Sequence, residues 1–387
     1  MIETLCLILL GIVIFFMCIF ILFNHKTSKM FGERSLLFIA ILFVVFSLFF
    51  KPESFIRWDL IEHFKLIDEM RYGGWDYVTT ESQYADLFVY NFFAYIISLL
   101  PSNFKNLLTV IPLIIDFVVV GYICKKMFRM HLPETSGKAR ALAILVWLST
   151  FGIKLAISGI RCSLAISIAV LAVYLEMIQK KKRIFSIFLY LISLFIHNFA
   201  IVIIIVRLLT MLKKPVLIML SSLTISFTLE PFARFVVSHV DNEYISFSFR
   251  RILETVDEMG FANIIQQLDL ISLMIYVCFI VFGIYLFIIA TKAKQVYKEN
   301  GYCKNVASFA ATVGAVAIGL SFNYLYLQRF MYLVSFALLM IIPLHNKGKE
   351  DVKSENIIIL PASLFLLFFN DIYLFIVNYV GSYFLAF

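Results

Sequence analysis

Charged residues are scarce in this sequence. Asp, Glu, Lys and Arg make up 15% of its 387 residues, whereas they make up about 25% of a typical soluble domain. Hydrophobic residues account for 62% of the chain, and phenylalanine alone occurs 42 times. This composition excludes an ordinary soluble domain and predicts an all-α fold, a polytopic transmembrane helical bundle.

The usual markers of metal, cofactor and disulfide chemistry are also missing. The sequence has no HExxH or CxxC motif, no tight carboxylate cluster and no Walker-type phosphate loop. We therefore expect no metal, no cofactor and no cytoplasmic ATP-driven reaction. None of the six cysteines lies in the two long polar loops described below, so no disulfide framework is expected. The net charge of +8 is concentrated in short loops between apolar runs, a positive-inside pattern rather than a sign of nucleic-acid binding.

Ten apolar runs are candidate membrane spans. They are Leu5–Phe23, Leu36–Phe50, Leu107–Cys124, Ala141–Ile153, Ile157–Ile178, Val216–Leu229, Leu270–Thr291, Val306–Phe322, Phe330–Leu344 and Ile357–Val380. The first run lacks a basic start and a small-residue cleavage site, so we expect it to be retained. The connecting loops are either short and basic, which predicts a cytoplasmic position, or long and acidic. The acidic loops, 51–86 and 230–269, are predicted outside, and residues 1–387 are predicted to form a single integral membrane domain.

Two further apolar segments do not fit simple crossings. Ile184–Leu212 has basic residues at both ends, which predicts two short helices that rise and return, with His197-Asn198 at the bend. Leu87–Leu100 is short for a crossing and is followed by Pro101, which favours a re-entrant segment. Irregular backbone at membrane depth is tolerated where it faces protein or a wet cavity. The sequence therefore predicts about 12 spans plus one re-entrant segment, around a cavity open to the outer face.

Three basic residues at the outer ends of apolar segments are candidates for binding an anion. Arg161 follows Ser158 and Gly159, His197 lies at the predicted bend, and Arg329 follows a tyrosine-rich run. A guanidinium group matches phosphate oxygens with two parallel hydrogen bonds, and histidine can donate to phosphate or act as a base. The alternatives are interfacial anchoring for the arginines and capping of broken helix ends for His197.

The first outer loop, 51–86, is predicted to form an amphipathic helix, because Ile56, Leu60, His63/Phe64 and Ile67 recur at helical spacing. Arg57, His63 and Arg71 could bind a lipid-linked phosphate, and Asp59 could activate a hydroxyl group; the alternative is a solvated face. Asp116, deep in its span, needs a partner. A structural pairing with Lys154 or Arg161 is favoured over catalysis.

Three features of the central segment resemble the EpsG/Wzy family of polysaccharide polymerases. They are the run from Ile157 to Ala165, the basic turn at 180–183, and His197, which follows Arg161 by 36 residues. The family usually has glutamine where this chain has Cys162, and a small or basic residue where it has Asn198. Asp59 and the run Gly74-Trp75-Asp76-Tyr77 are similar to the family's first-loop pattern more loosely. The arginine that ends Asn323–Arg329 resembles the family's late arginine.

The resemblance implies a GT-C-like enzyme of the bacterial inner (cytoplasmic) membrane that polymerises undecaprenyl-diphosphate-linked oligosaccharide repeat units on the outer face. The product would be a capsule, an exopolysaccharide or an O-antigen. The expected partners are that lipid-linked oligosaccharide and membrane lipid, with a chain-length regulator and a flippase as candidates. On this interpretation Asp59 and His197 are the catalytic candidates, and the diphosphate is bound by Arg161, Arg329, Arg57, Arg71 and His197.

Two other functions stay open at this point. One is a related enzyme, an O-antigen ligase or a GT-C glycosyltransferase that moves one sugar or a finished chain. The other is a lipid-linked oligosaccharide flippase or transporter, which is disfavoured because no internal repeat is visible and the long acidic loops fall on one side. Which of Asp59 and His197 acts as the base is also open; we favour Asp59 as hydroxyl activator and His197 as phosphate partner.

Overall fold

The computed structural model describes residues 2–23, 31–50, 59–80, 87–151, 159–180, 183–239, 270–348 and 359–373, together with 250, 253 and 357. Nearly all of these residues are helical, and no strand occurs among them. The helices of the described part are α1 (Ile2–Phe23), α2 (Phe31–Phe49), α3 (Asp59–Thr80), α4 (Phe88–Ser98), α5 (Leu107–Lys126), α6 (Gly137–Phe151), α7 (Ile160–Val173), α8 (Arg183–Ile196), α9 (Ala200–Met211), α10 (Pro215–His239), α11 (Leu270–Val296), α12 (Gly301–Gly319), α13 (Tyr324–His345) and α14 (Ile359–Phe365). Short π-helical turns extend α5, α7 and α14.

Seven helical segments of the described part are long and apolar enough to cross a membrane. They are Gly32–Phe49, Ser102–His131, Ile160–Ile178, Pro215–His239, Leu270–Val296, Gly301–Phe322 and Tyr326–His345. Shorter apolar helices include Phe88–Ser98, Arg183–Ile196 and Ala200–Met211. The prediction of a polytopic all-α membrane protein is confirmed. The total of about 12 spans and the re-entrant path stay predictions.

The break predicted inside the long apolar segment Ile184–Leu212 is confirmed. Helix α8 ends at Ile196, α9 begins at Ala200, and His197 and Asn198 lie in the turn between them. The backbone closes this turn with hydrogen bonds from the His197 N–H to the Ser193 carbonyl and from the Ala200 N–H to the His197 carbonyl. Each helix is shorter than a comfortable crossing, as a pair of half-length helices requires.

The chain divides into two compact units: residues 1–205 with 342–387, and residues 206–341. In the first unit, α6 forms the core, and all 15 of its residues are buried. Its hydroxyl groups at Ser149 and Thr150 bond to carbonyls of their own helix, which satisfies them in an apolar interior. The prediction of a single membrane domain over 1–387 stays a prediction.

The second unit is built around α12, which packs against α10 and α11. A Cβ atom on Gly314 would lie 2.7 Å from the backbone nitrogen of Phe287 in α11, so these helices approach more closely than a side chain permits. Ser226 of α10 donates a 2.6 Å hydrogen bond to the Gly319 carbonyl. Small residues with interhelical hydrogen bonds are a common way to hold helices together in lipid.

The stretch for which an amphipathic helix is predicted contains the helix α3, and Ile56 lies outside the described residues. Its residues Leu66, Ile67 and Met70 are buried and form one cluster with residues of α4, including Ala94 and Ile97. The helix is kinked at Gly74, where φ is 64°, a left-handed conformation that favours glycine. The position of α3 on the outer leaflet stays a prediction.

Candidate functional site

Arg161 lies in the first turn of α7, where the chain enters its apolar segment. Gly159 is the residue before the helix and provides no side-chain cap. The half-buried side chain of Arg161 extends over Tyr90 of α4, with its guanidinium carbon 5.3 Å from the centre of the tyrosine ring. A guanidinium over an aromatic face is held by cation–π attraction.

Tyr90 brings a third element to the same place. Its ring centre lies 5.4 Å from that of His63 in α3, with the two rings tilted by 60°. Both residues are about 1% exposed. The tyrosine ring therefore contacts an imidazole from α3 and a guanidinium from α7, and it links the two.

His197 completes the cluster from the turn between α8 and α9. Its Nδ1 atom accepts a 3.0 Å hydrogen bond from the backbone N–H of Phe199. An accepting Nδ1 carries no proton, so the neutral ring has its proton on Nε2. Nε2 can then donate to an anionic oxygen, whereas the lone pair that a general base would use is already occupied at Nδ1.

Apolar packing beneath these groups fixes their positions. Leu164 and Ala165 lie one turn after Arg161, Ile196 precedes His197, and these residues form a buried cluster with Ala200. Val89, next to Tyr90, packs against this cluster. The side chains that carry charge thus project from elements held together by a dry contact, which pre-organises them.

Burial lowers the pKa of His63, the positive charge of Arg161 lowers it further, and His197 adds to this effect whenever its own ring is protonated. The imidazole of His63 is therefore neutral at physiological pH. Groups from α3, α7 and the α8–α9 turn thus interact electrostatically at this site.

The lowered pKa of His63 predicts a pH-dependent stability. In the unfolded chain the imidazole protonates near pH 6.5. The unfolded state therefore binds more protons than the folded state below that pH, and the stability from a neutral His63 is lost as the pH falls. Between pH 7.5 and 5.0 this amounts to about 2 kcal/mol of unfolding free energy. The thermal midpoint should fall less over this range in His63→Gln than in the unmodified protein.

The exposed His239 offers a matched control for this measurement. His239→Gln should retain the full pH dependence of the thermal midpoint, read by intrinsic fluorescence in detergent micelles. An equal fall in the midpoint for His63→Gln and His239→Gln would contradict a neutral imidazole at position 63 in the folded protein.

Arg71, a predicted diphosphate ligand, is occupied by other groups. Its Nε and one Nη donate to the carbonyls of Ser98 and Leu100, at the C-terminal end of α4, and the other Nη contacts Asp68. Arg71 thus caps the last carbonyls of α4. This is a structural role that suits a cation, because the C-terminal end of a helix carries partial negative charge. The binding role of Arg71 stays a prediction, and we do not include this residue in the cluster.

The remaining predicted residues are placed less completely. Arg57 lies outside the described residues. Asp59 is the first residue of α3, one helical turn before His63, and its side chain lies outside the described part. Arg329 is exposed in the second turn of α13, in the second unit. The roles predicted for these three residues stay predictions.

The surroundings of Asp116 differ from the ion pair that was predicted for it. Its carboxyl group is fully buried in α5 and faces the hydroxyl groups of Ser163 and Ser167 on α7. It forms no ion pair among the described residues, so the pairing with Arg161 is wrong; Lys154 lies outside them. Ser163 and Ser167 follow Arg161 by two and six residues, so they lie on a different face of α7 from Arg161, the face that packs against α5.

Sequence reasoning missed Tyr90 and ranked His63 below its neighbours. The available sequence signal was a pair of polar side chains, Tyr90 and Asn91, inside an apolar segment. The structure shows that both are buried. Nothing in the spacing of the chain indicated that Tyr90 would link His63 to Arg161, because these residues are far apart in sequence.

The fold and the cluster define a polytopic helical membrane protein that brings an arginine, two histidines and a tyrosine together. The sequence model of the EpsG family matches residues 61–385, which is most of the chain and includes the whole cluster. The chain belongs to the EpsG family. Membership indicates a polysaccharide-polymerase-like function and associates the chain with glycosyltransferase-like activity in polysaccharide biosynthesis. No curated protein and no solved structure matches the chain.

Proposed function

We propose that this protein polymerises undecaprenyl-diphosphate-linked oligosaccharide repeat units on the outer face of the bacterial inner membrane. The observation that carries the proposal is the cluster of Arg161, His197, His63 and Tyr90. It brings together a guanidinium from α7 and an imidazole donor from the α8–α9 turn, both of which act electrostatically on His63, next to an apolar cluster. Such a pair suits a diphosphate attached to an apolar chain, because phosphate oxygens take charge-assisted hydrogen bonds from both groups.

The proposed reaction is a glycosyl transfer. A hydroxyl oxygen of the acceptor sugar attacks the anomeric carbon of the donor, the bond from that carbon to the diphosphate oxygen breaks, and undecaprenyl diphosphate leaves. Asp59 takes the hydroxyl proton. Arg161 and the Nε2–H of His197 bind the diphosphate and stabilise the negative charge that develops on it, a form of electrostatic catalysis. Arg57, Arg329 and Arg71 are additional candidates for the same charge.

The proposal extends to the architecture and the partners. It includes about 12 spans in a GT-C-like arrangement, with one re-entrant segment formed by the stretch that contains α4. A flippase would supply the substrate to the outer leaflet, and a chain-length regulator would act on the product. The polymer would be a capsule, an exopolysaccharide or an O-antigen.

A gene deletion separates this proposal from the flippase alternative. Loss of a polymerase should leave single lipid-linked repeat units accessible to an impermeant glycosidase or lectin outside the cell membrane. Loss of a flippase should trap the same units in the inner leaflet, where the reagent reaches them only after permeabilisation. Inner-leaflet accumulation in the deletion strain would overturn the polymerase proposal.

The proposed outward position of the cluster gives a separate prediction. Basic residues flank the hairpin segment, so Lys182 and Lys213 should face the cytoplasm and His197 the outside. In a cysteine-free background, an impermeant thiol reagent should label His197→Cys in intact cells, and Lys182→Cys and Lys213→Cys only after permeabilisation. Labelling of positions 182 and 213 from opposite sides of the membrane would rule out the hairpin.

A further inference from the structure

A groove runs between α2 and α5 on the far side of α5 from Asp116. The groove encloses a cavity of about 740 Å³, within the range of about 300–1,000 Å³ that is usual for sites of small molecules. Its walls are almost entirely apolar and include Leu37, Ile41, Val44, Ile114, Val118 and Gly121. These positions recur every three or four residues, so each helix contributes one continuous face.

Charged residues occur only at one end of the lining, at Glu33 and Lys125. The Glu33 carboxylate is paired with Arg129 at 3.1 Å and Arg140 at 3.5 Å, so its negative charge is compensated. Lys125 is exposed at the same end. The mouth of the groove therefore has a net positive charge, and it lies in the basic stretch 125–140 that the charge pattern assigns to the cytoplasm.

The length of the groove matches one leaflet. On α2 the lining extends from Glu33 to Val45, which is roughly 18 Å along a helix. One half of a bilayer's hydrocarbon core measures about 15 Å. The groove is thus long enough for one acyl chain of a lipid in the cytoplasmic leaflet. Lys125 lies at the end of the groove where the phosphate of that lipid would be.

We propose that this groove binds an anionic glycerophospholipid of the cytoplasmic leaflet, with one acyl chain between α2 and α5 and its phosphate against Lys125. Basic pockets between membrane helices on the cytoplasmic side suit anionic headgroups. The site is distinct from the cluster around Tyr90 and does not depend on the polymerase proposal. Its ligand is a structural lipid rather than a substrate.

Gly121 allows the chain site to be closed selectively. A Cβ atom built on Gly121 meets no other atom within 4 Å, so a larger side chain there would enter the groove. Gly11 in α1 has the same open surroundings but does not line the groove. Gly11→Leu is therefore a matched control for Gly121→Leu. Lys298, an exposed lysine of the second unit, provides the corresponding control for Lys125.

The test uses the full-length protein in neutral detergent, titrated with phosphatidylglycerol or with phosphatidylcholine of the same chain length. Native mass spectrometry gives the affinity, and thermal unfolding checks that each variant is folded. Phosphatidylglycerol should bind the unmodified protein more tightly. Lys125→Ala should weaken that binding about fivefold, the effect of losing about 1 kcal/mol per lysine, and weaken phosphatidylcholine binding less, because the choline cation offsets the phosphate charge. Gly121→Leu should lose saturable binding of both lipids, whereas Gly11→Leu and Lys298→Ala should bind like the unmodified protein.

Three results would overturn the proposal. Equal affinity of the unmodified protein for the two phospholipids would remove the role of the headgroup charge. Normal binding by folded Gly121→Leu would place the acyl chain elsewhere. Displacement of phosphatidylglycerol by a smaller amount of a polyprenyl phosphate would assign the groove to the polyprenyl lipid. Lys125 is exposed, so Lys125→Ala should fold normally. The charge test therefore remains valid even if Gly121→Leu does not fold.

Discussion

Arg161→Lys should reduce polymer synthesis by roughly 10- to 100-fold, although the positive charge is kept. A charge-assisted hydrogen bond contributes about 1.5–3 kcal/mol, and lysine cannot reproduce the two parallel bonds of a guanidinium to a diphosphate. Lysine also loses the planar contact that holds the Arg161 side chain over Tyr90. Arg161→Ala should remove synthesis almost completely. The measurement is polymer length and amount from purified protein supplied with lipid-linked repeat units.

Arg234→Lys provides the control for a change of arginine to lysine at an exposed ion pair. It should leave polymer synthesis unchanged. Membrane insertion and the thermal midpoint should be normal in both Arg161 variants, because the side chain is only half-buried. Full-length polymer from Arg161→Ala would assign Arg161 a purely structural role as an anchor of α7.

His197→Ala should weaken binding of the lipid-linked donor by about tenfold or more, the effect of losing one charge-assisted hydrogen bond. The accepting Nδ1 leaves Nε2–H as the donor, so we expect the side chain to act on the diphosphate rather than on the acceptor hydroxyl. Donor affinity can be measured with non-polymerisable lipid-linked repeat units. Asn198→Ala, a change at the exposed neighbouring residue of the same turn, should bind the donor normally.

Asp59→Asn should behave in the opposite way. An amide cannot accept the hydroxyl proton, so turnover should fall while donor affinity stays close to that of the unmodified protein. The two variants therefore separate binding from proton transfer. Unchanged donor affinity with lost turnover in His197→Ala would reverse the two roles.

Local patterns in the sequence predicted the elements that carry the site. Basic residues at both ends of one apolar segment predicted the break at His197, because a single crossing cannot have both ends on the cytoplasmic side. Helical spacing of apolar residues predicted α3. The basic turn 180–183 at the far end of the same apolar run predicted Arg161 near the start of its span, and Arg161 lies in the first turn of α7. Each of these signals depends on residues close together in the chain.

The contacts between elements could not be predicted in the same way. His63, Tyr90 and Arg161 meet because α3 packs on α4 and Val89 of α4 packs against the cluster beneath Arg161. No spacing along the chain encodes that packing. Arg71 illustrates the same difficulty, since its donors bond to the carbonyls of Ser98 and Leu100 at the end of another helix. A single charged residue in a loop does not reveal whether its partner is a ligand or a helix end.

One measurement tests the proposed reaction most directly. Purified protein is reconstituted in vesicles with lipid-linked repeat units in the leaflet that His197 faces, and both products are counted. We predict one undecaprenyl diphosphate released for each glycosidic bond formed, and neither product from vesicles that contain Arg161→Ala. Movement of intact repeat units between leaflets, with no undecaprenyl diphosphate released and no chain formed, would contradict the account.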